Sequence, residues 1–224
     1  GALHGHAGRV FVGLLDQAAQ HAVTAAHPPL MMRDPVDLSL ETSTVVCGCG
    51  GGDLIHSHLP KVLSSADKLV LDADALNLIS EYDFLFYKIP KNAILTPHPK
   101  EFDRLFGNSE STEERLIKQR ASSKKLACYI ILKGAHTSIS TPEGCVYMNN
   151  TGNSGMAKGG SGDVLTGLIS GLLSQGYSPL DASLIGVWIH GLAGDFAKQK
   201  KNEITMTAMD LIDGFTEAFN ESIK

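Results

Sequence analysis

The chain has 224 residues, 43% hydrophobic and 19% charged, usage that suits one sizeable globular core and excludes a disordered, collagenous or coiled-coil protein. Lys and Arg number 19 against 24 Asp and Glu, a formal charge of -5, and the positive residues are scattered, so no basic stripe offers itself to a nucleic acid. No apolar run reaches the roughly 18 residues of a membrane span and no signal-peptide pattern opens the chain, so a soluble, cytoplasmic protein with neither membrane nor nucleic-acid partners is expected.

Residues 9–15 (RVFVGLL), closed by Asp16, predict a buried strand. Residues 44–47 (TVVC) repeat the pattern and run into Gly48, Gly50, Gly51 and Gly52, a strand ending in a glycine loop. Residues 54–63 carry apolar side chains at helical spacing, and residues 68–71 (KLVL) form a further strand ending at Asp72 and Asp74. Strand, helix, strand in that order predicts a parallel sheet with crossover helices. Residues 93–95 lead into Thr96-Pro97-His98-Pro99, whose prolines stop the strand and start a helix over 101–106. Residues 112–127 read as a polar, exposed helix and residues 129–132 (YIIL) as a buried strand closed by Lys133-Gly134. Thr141-Pro142-Glu143-Gly144 separates alternating runs at 137–140 and 145–148, an antiparallel hairpin that makes the sheet mixed at one end. A glycine-rich stretch follows and opens an apolar helix over 163–175. Ser178-Pro179 starts another reaching about residue 198, and Thr207 with Asp210 has the capping-box spacing for the last. No linker or repeat divides the chain, so residues 1–224 are expected to form one α/β domain.

Gly159-Gly160-Ser161-Gly162-Asp163 opens a helix, where unpaired amides and the positive dipole end together make a cradle for phosphate. Asp163 beside such a cradle either takes a proton from an attacking hydroxyl or caps the helix, and spacing leaves both open. Asp replaces the Lys of a Walker A motif, so this is no P-loop NTPase. Lys133-Gly134-Ala135-His136-Thr137 sits at a strand's carboxyl end, where open α/β sheets bind ligands, although a plain turn has the same sequence. The Gly48–Gly52 run lacks dinucleotide-fingerprint spacing, Ser154 and Ser161 lack a hydrolase elbow, and His98 with Glu101 is too few ligands for zinc. The four cysteines are too few for a disulfide framework and Cys47 and Cys49 have no CxxC spacing, so all are expected to be small reduced core residues.

Four segments resemble one family: VLDADAL at 70–76, LTPHPKEFDRL at 95–105, ILKGAHT at 131–137 and NTGNSGMAKGGSGDVLTGLISGLLSQG at 150–176 are similar to the NAD(P)H-hydrate dehydratases of the ribokinase-like superfamily, over about residues 45–223. His in TPHP resembles the bacterial, ADP-using branch. The resemblance implies a three-layer α/β/α fold with a mostly parallel sheet. It implies dehydration of the S-hydrate of NADH and NADPH at the expense of ADP, giving AMP and phosphate, with magnesium accompanying the nucleotide and no protein ligand to the metal named. By motif, Asp163 is the catalytic base, and amides of Gly160, Ser161 and Gly162 form the anion hole. Lys133, Gly134, Ala135, His136, Thr137 and Gly162 contact the nucleotide, and Gly50, His98 and Asp163 contact the hydrate.

The chain departs from the family in two places. Gly48-Cys49-Gly50 stands where relatives show Gly-Pro-Gly. The strand, turn and helix with which relatives begin are absent ahead of Gly1, so the domain reads as truncated at its N-terminus, and many relatives carry a fused epimerase domain upstream. The apolar surface so exposed, together with the family, implies a homo-oligomer, a tetramer. The loop chemistry by itself also suits a small-molecule kinase of the superfamily or a non-catalytic nucleotide-binding domain.

Overall fold

The computed structural model describes residues 2, 7, 9–13 and 30–223. The described strands form a six-stranded sheet and a separate pair. In the large sheet β3 (Thr44–Cys47), β4 (Lys68–Leu71), β5 (Ile94–Leu95) and β6 (Tyr129–Leu132) are parallel neighbours in chain order, and β7 (Ser138–Ser140) and β8 (Val146–Met148) add antiparallel at one edge. The expected strand at 9–15 is present as β1 (Val10–Gly13), paired in parallel with β2 (Leu30–Arg33) apart from the large sheet. Leu14, Leu15 and Asp16 lie outside the described residues.

Alternation along the strands builds three layers. Leu69, Leu71, Leu95 and Ile130 face one way, into a core with Leu59 and Val62 of α1 (Leu59–Ser65), Leu76 and Ile79 of α2 (Ala73–Glu81), Leu85 of α3 (Asp83–Phe86) and Phe102 of α4 (Pro99–Phe106). Val70, Ile94, Ile131 and Ile139 face the other way, against Leu165, Ile169 and Leu172 of α6 (Ser161–Ser174) and Val187 of α7 (Pro179–Lys201). A third cluster joins α6 and α7 to α8 (Ala208–Asp213) and α9 (Phe215–Ser222) through Leu168, Ile189, Leu211 and Phe215. Strands β4, β5 and β6 read as near-continuous apolar runs because both faces are covered. None of the described helices is long and apolar enough to cross a membrane.

Several expectations shift. The helix expected over 54–63 divides into a 3-10 turn at Gly52–Ser57 and α1, because Pro60 has no N–H to give to residue 56 and belongs in a first turn. Helices α2 and α3 were not anticipated, although Ala75, Leu76, Leu78 and Ile79 hold a helical apolar spacing and are all buried. Helix α4 begins at Pro99, two residues early, because the His98 ring accepts from the Lys100 and Glu101 amides while Glu101 accepts from the His98 amide, a full capping box. Helix α6 begins at Ser161, with Gly160 as N-cap, so the glycine loop enters the helix itself. Polar α5 (Thr112–Leu126) is anchored by a buried Gln119, whose amide donates to Ile130 O (2.8 Å) and Ser138 O (3.1 Å) where β6 and β7 meet. Among the cysteines Cys128 is buried as expected, but Cys49 and Cys145 stand in exposed loops, Cys49 with its thiol turned inward.

Phe102 is fully buried, with its ring 4.8 Å from that of Phe106. Phe102→Ala is expected to cost about 3–5 kcal/mol, transfer plus cavity, read as a lower urea midpoint at unchanged slope. A loss below about 1 kcal/mol would show that the α4 layer collapses onto the gap.

Candidate functional site

The parallel strands deliver their C-terminal ends to one edge of the sheet, and the chain's chemistry gathers there. Asp72 follows β4 and is 1% exposed. Its Oδ1 accepts from Lys133 Nζ at 2.7 Å, across from the end of β6, and its Oδ2 lies 3.0 Å from the Thr166 hydroxyl on α6. The Thr166 hydroxyl also lies 2.9 Å from Gly162 O, so its single proton is shared between the last turn of backbone and the carboxylate. A buried carboxylate with these two partners is neutralised and hydrogen-bonded at once, the condition for keeping a charge out of water.

The glycine turn after β3 closes over Asp72. Gly48 has φ +122°, and a Cβ there would sit 1.8 Å from Asp72 O, so a side chain is excluded twice over. The Asp74 amide donates to Gly48 O (3.2 Å), and Asp74 Oδ2 accepts from the Gly52 amide (2.8 Å). Gly50, at φ +66°, faces open space. Cys49 brings its Sγ among the carboxylates: the Sγ and one oxygen each of Asp72 and Asp163 all lie within 4.8 Å of one another. Desolvation and then the charges of Asp72 and Asp163 push its thiol well above the ordinary range, so it stays protonated.

The third wall is the N-terminus of α6. Asp163 is the third residue of the helix, exposed, and does not cap it; the N-cap is Gly160 at φ +86°. The Ser161 amide donates to Lys158 O (3.3 Å), whereas those of Gly160, Gly162 and Asp163 have no acceptor among the described residues. A Cβ on Gly162 would come within 3.2 Å of Lys133 Nζ and 3.5 Å of Asp72 Oδ2, so this first turn sits directly on the ion pair. Free amides, the positive end of a 14-residue helix and a lysine ammonium thus point at the same space, a setting that selects anions.

Lys133, Gly162 and Asp163 are therefore brought together, with Gly50 on the facing turn. Gly134, Ala135 and His136 form an exposed turn beside Lys133, closed by the Thr137 hydroxyl, which donates to Gly134 O at 3.2 Å. His98 is on the same edge, but its side chain, 45% exposed, is engaged in capping α4 and lies 3.4 Å from Glu101. Sequence reading missed Asp72, Thr166 and His190 as site residues. Thr166 carried a signal, standing one helical turn after Gly162; His190 carried none, since its partner is a backbone oxygen.

His190, on α7, has its Nε2 3.0 Å from Ser161 O. Burial, helped by the nearby Lys133 ammonium, pulls its pKa down to about 4 from an ordinary 6.5 against the opposing pull of that bond. Helix α7 also carries Asp195, which accepts from the Gly152 amide (2.9 Å) and Asn153 Nδ2 (3.0 Å), and Gly191, where a Cβ would lie 2.2 Å from Thr151 Oγ1. The loop that precedes α6 is thus seated on α7.

A family model described as NAD(P)H-hydrate dehydratase matches residues 1–217. The chain is 39% identical over 202 residues to a bifunctional NAD(P)H-hydrate repair enzyme of Moorella thermoacetica, covering 89% of this chain and 35% of that protein. It is 36% identical over 203 residues to an ADP-dependent (S)-NAD(P)H-hydrate dehydratase of Neisseria meningitidis serogroup B, covering 86% of this chain and 68% of that one. Among solved structures, an ADP/ATP-dependent NAD(P)H-hydrate dehydratase of Bacillus subtilis, co-crystallised with ATP and Mg2+, matches with a TM-score of 0.84 at 29% identity, covering 98% of this chain and 81% of that chain. A hydroxyethylthiazole kinase of Pyrococcus horikoshii, at 16% identity and a TM-score of 0.69, shares the fold.

Because the folded pKa of His190 lies below the unfolded one, the unfolded chain takes up a proton that the folded chain refuses as pH falls from 6.5 toward about 4. The stability this residue contributes is complete above that window and is lost on descending through it. Urea midpoints measured at pH 7 and pH 5 are expected to fall in the parent and to fall less in His190→Gln. Equal declines would place the acid sensitivity elsewhere.

Proposed function

The chain belongs to the NAD(P)H-hydrate dehydratase family, and from that premise we propose that it dehydrates the S-hydrate of NADH and NADPH, consuming ADP and releasing AMP and phosphate. The observation that carries the reading is the exposed Asp163 carboxylate, free of any capping role, at the mouth of an anion-selecting helix terminus and beside the Lys133–Asp72 pair.

In this reading Asp163 takes the proton of the ring hydroxyl, and the hydroxyl oxygen attacks the terminal phosphorus of ADP as AMP leaves. The phosphate ester then eliminates: its C–O bond breaks with the electron pair leaving on phosphate, a proton passes from the neighbouring ring carbon to water, and the double bond of reduced nicotinamide is restored. The free amides of Gly160 and Gly162 and the ammonium of Lys133 offset charge growing on the transferring group. Ser161 contributes through its peptide plane, its own N–H being held by Lys158. The turn from Gly134 to Thr137 lines the nucleotide side, and Gly50 and His98 the hydrate side. The hard oxygen donors here are those of Asp163 and Asp72, and both Asp72 oxygens already have partners, so the residues fit a magnesium ion coordinated mainly by nucleotide phosphates and water. When bound it would neutralise phosphate charge.

The chain spans 35% of the Moorella relative's length and 68% of the Neisseria one's. The proposal accordingly includes one catalytic domain over residues 1–224, an upstream epimerase domain supplying the S form, a cytoplasmic setting, and association into a tetramer. The exposed Phe11, Met31 and Val46 side chains support such association.

Incubation with the S-hydrate, ADP and magnesium is expected to restore the near-ultraviolet absorbance of reduced nicotinamide, with AMP and phosphate formed in equal amounts. Asp163→Asn is expected to lower kcat by about 10²–10⁴-fold while ADP still binds. A phosphorylated product that accumulates without recovered absorbance would replace this reading with a kinase, and ADP binding without turnover would replace it with a nucleotide-binding domain.

A further inference from the structure

The glycine loop poses a physical problem that helix geometry solves only in part, since Ser161 and Gly162 stand in the first turn of α6 while Gly159 and Gly160 precede it. An anion hole stabilises developing charge only if its donors are already aimed, yet Gly159, Gly160 and Gly162 are the residues that least resist reorientation. Besides Thr166, whose hydroxyl lies 2.9 Å from Gly162 O within α6, two residues among those described tie the backbone here to other elements. Lys158 Nζ, at the loop's start, donates to Met206 O at 2.7 Å, and His190 Nε2 lies 3.0 Å from Ser161 O.

The second contact acts on the hole directly. A carbonyl oxygen accepts, so His190 presents Nε2–H and the tautomer is settled. Ser161 C=O and Gly162 N–H are opposite ends of one planar peptide group, so fixing the oxygen fixes the direction of the amide. A donor on the carbonyl also polarises the peptide and strengthens the N–H as a donor. That N–H is one of those without an acceptor among the described residues, at the turn that meets Lys133. His190 itself is held in place, 9% exposed, with Gly191 packed against Thr151.

We infer that His190 is a positioning residue of the phosphoryl site: its imidazole N–H locks the Ser161–Gly162 peptide and aims the Gly162 amide at the terminal phosphoryl group of a bound nucleoside diphosphate. The inference rests on the proposed function for the identity of the anion, ADP, and concerns a residue that touches neither substrate.

The test separates aiming from packing. His190→Gln keeps an N–H donor at about the reach of Nε2 but loses the ring, whereas His190→Phe keeps the ring and loses the donor; His190→Leu is a second non-donor should the Phe variant fail to fold. Calorimetric affinities for ADP and for AMP, with magnesium, are measured on the whole protein, together with thermal melting. The parent is expected to prefer ADP, the non-donor variants to lose that preference by about tenfold, and the Gln variant to retain it, with melting temperatures that do not track the preference. In the dehydration assay the non-donor variants are expected to lose kcat with little change in the KM for the hydrate. Preference retained in the non-donors, lost in Gln but not in Phe, or lost only in step with melting temperature would overturn the inference, as would a parent that does not distinguish ADP from AMP. A parent that distinguishes them yet turns over no hydrate would overturn the reaction and leave the His190 role standing.

Discussion

The carboxylate of Asp72 is the point from which the site is assembled. Removed from water, it must be matched by positive charge and hydrogen-bond donors, and the partners it has come from distant parts of the chain: Lys133 is 61 residues away and Thr166 is 94. Meeting that one requirement places the end of β4, the end of β6 and the first turn of α6 within a few ångströms of each other. A lysine so held cannot swing freely, and a helix terminus so held presents its amides in a fixed direction. Breaking one partner of such a pair is costly because the survivor is left buried and unmatched, so the arrangement is enforced by desolvation rather than by the attraction alone.

Preorganisation then spreads outward from this pair. On one side Gly48 lets the β3 turn approach Asp72 so closely that no other residue fits, which brings Cys49 and Gly50 over the cleft. On the other, α7 receives the loop before α6 through Asp195, Gly191 and His190. Gly191 and Gly194 of α7 therefore form a bed for the loop, packed on Thr151 and Met156, while Gly186 admits Ile169 of α6. The flexibility that glycine gives the loop is what permits close approach to an anion, and contacts from outside remove the freedom that would otherwise weaken it.

What the sequence made legible follows from where the information resides. Strands β4 and β6 were readable because burial on both faces requires unbroken apolar runs, β3 because its β-branched run ends in a glycine loop although Val46 is exposed, and the hairpin because its turn residues are local. The α2 helix was hidden by the motif overlapping it, since Val70–Leu71 ends a strand and Ala75–Leu76 already lies inside a helix, with only Asp72 between them and its start. The docking of α5 was hidden for a different reason: Gln119 fastens a polar helix by hydrogen bonds that a hydrophobic pattern does not register. Lys133, Gly162 and Asp163 were found because motif residues sit at strand and helix ends. Asp72 and His190 belong to the site through pairings across the fold that a single sequence does not display, and Thr166 offered only its helical spacing from Gly162.

The turn at Gly48-Cys49-Gly50 makes its demands unevenly. The severe demands fall on the flanking glycines, since Gly48 has both the positive φ and the 1.8 Å approach and Gly50 has positive φ. The middle residue carries neither demand: Cys49 is absent from the positive-φ positions, and its side chain reaches the cleft instead of the backbone. A proline there would supply stiffness through its ring, whereas here the Asp74 carboxylate on the Gly52 amide and the Gly48 carbonyl on the Asp74 amide hold the turn. Hydrogen bonds at the start of α2 thus stiffen the turn, and its middle position is left to carry a thiol. Between two carboxylates that thiol remains protonated, so it adds a weak donor to the cleft without adding a third negative charge there.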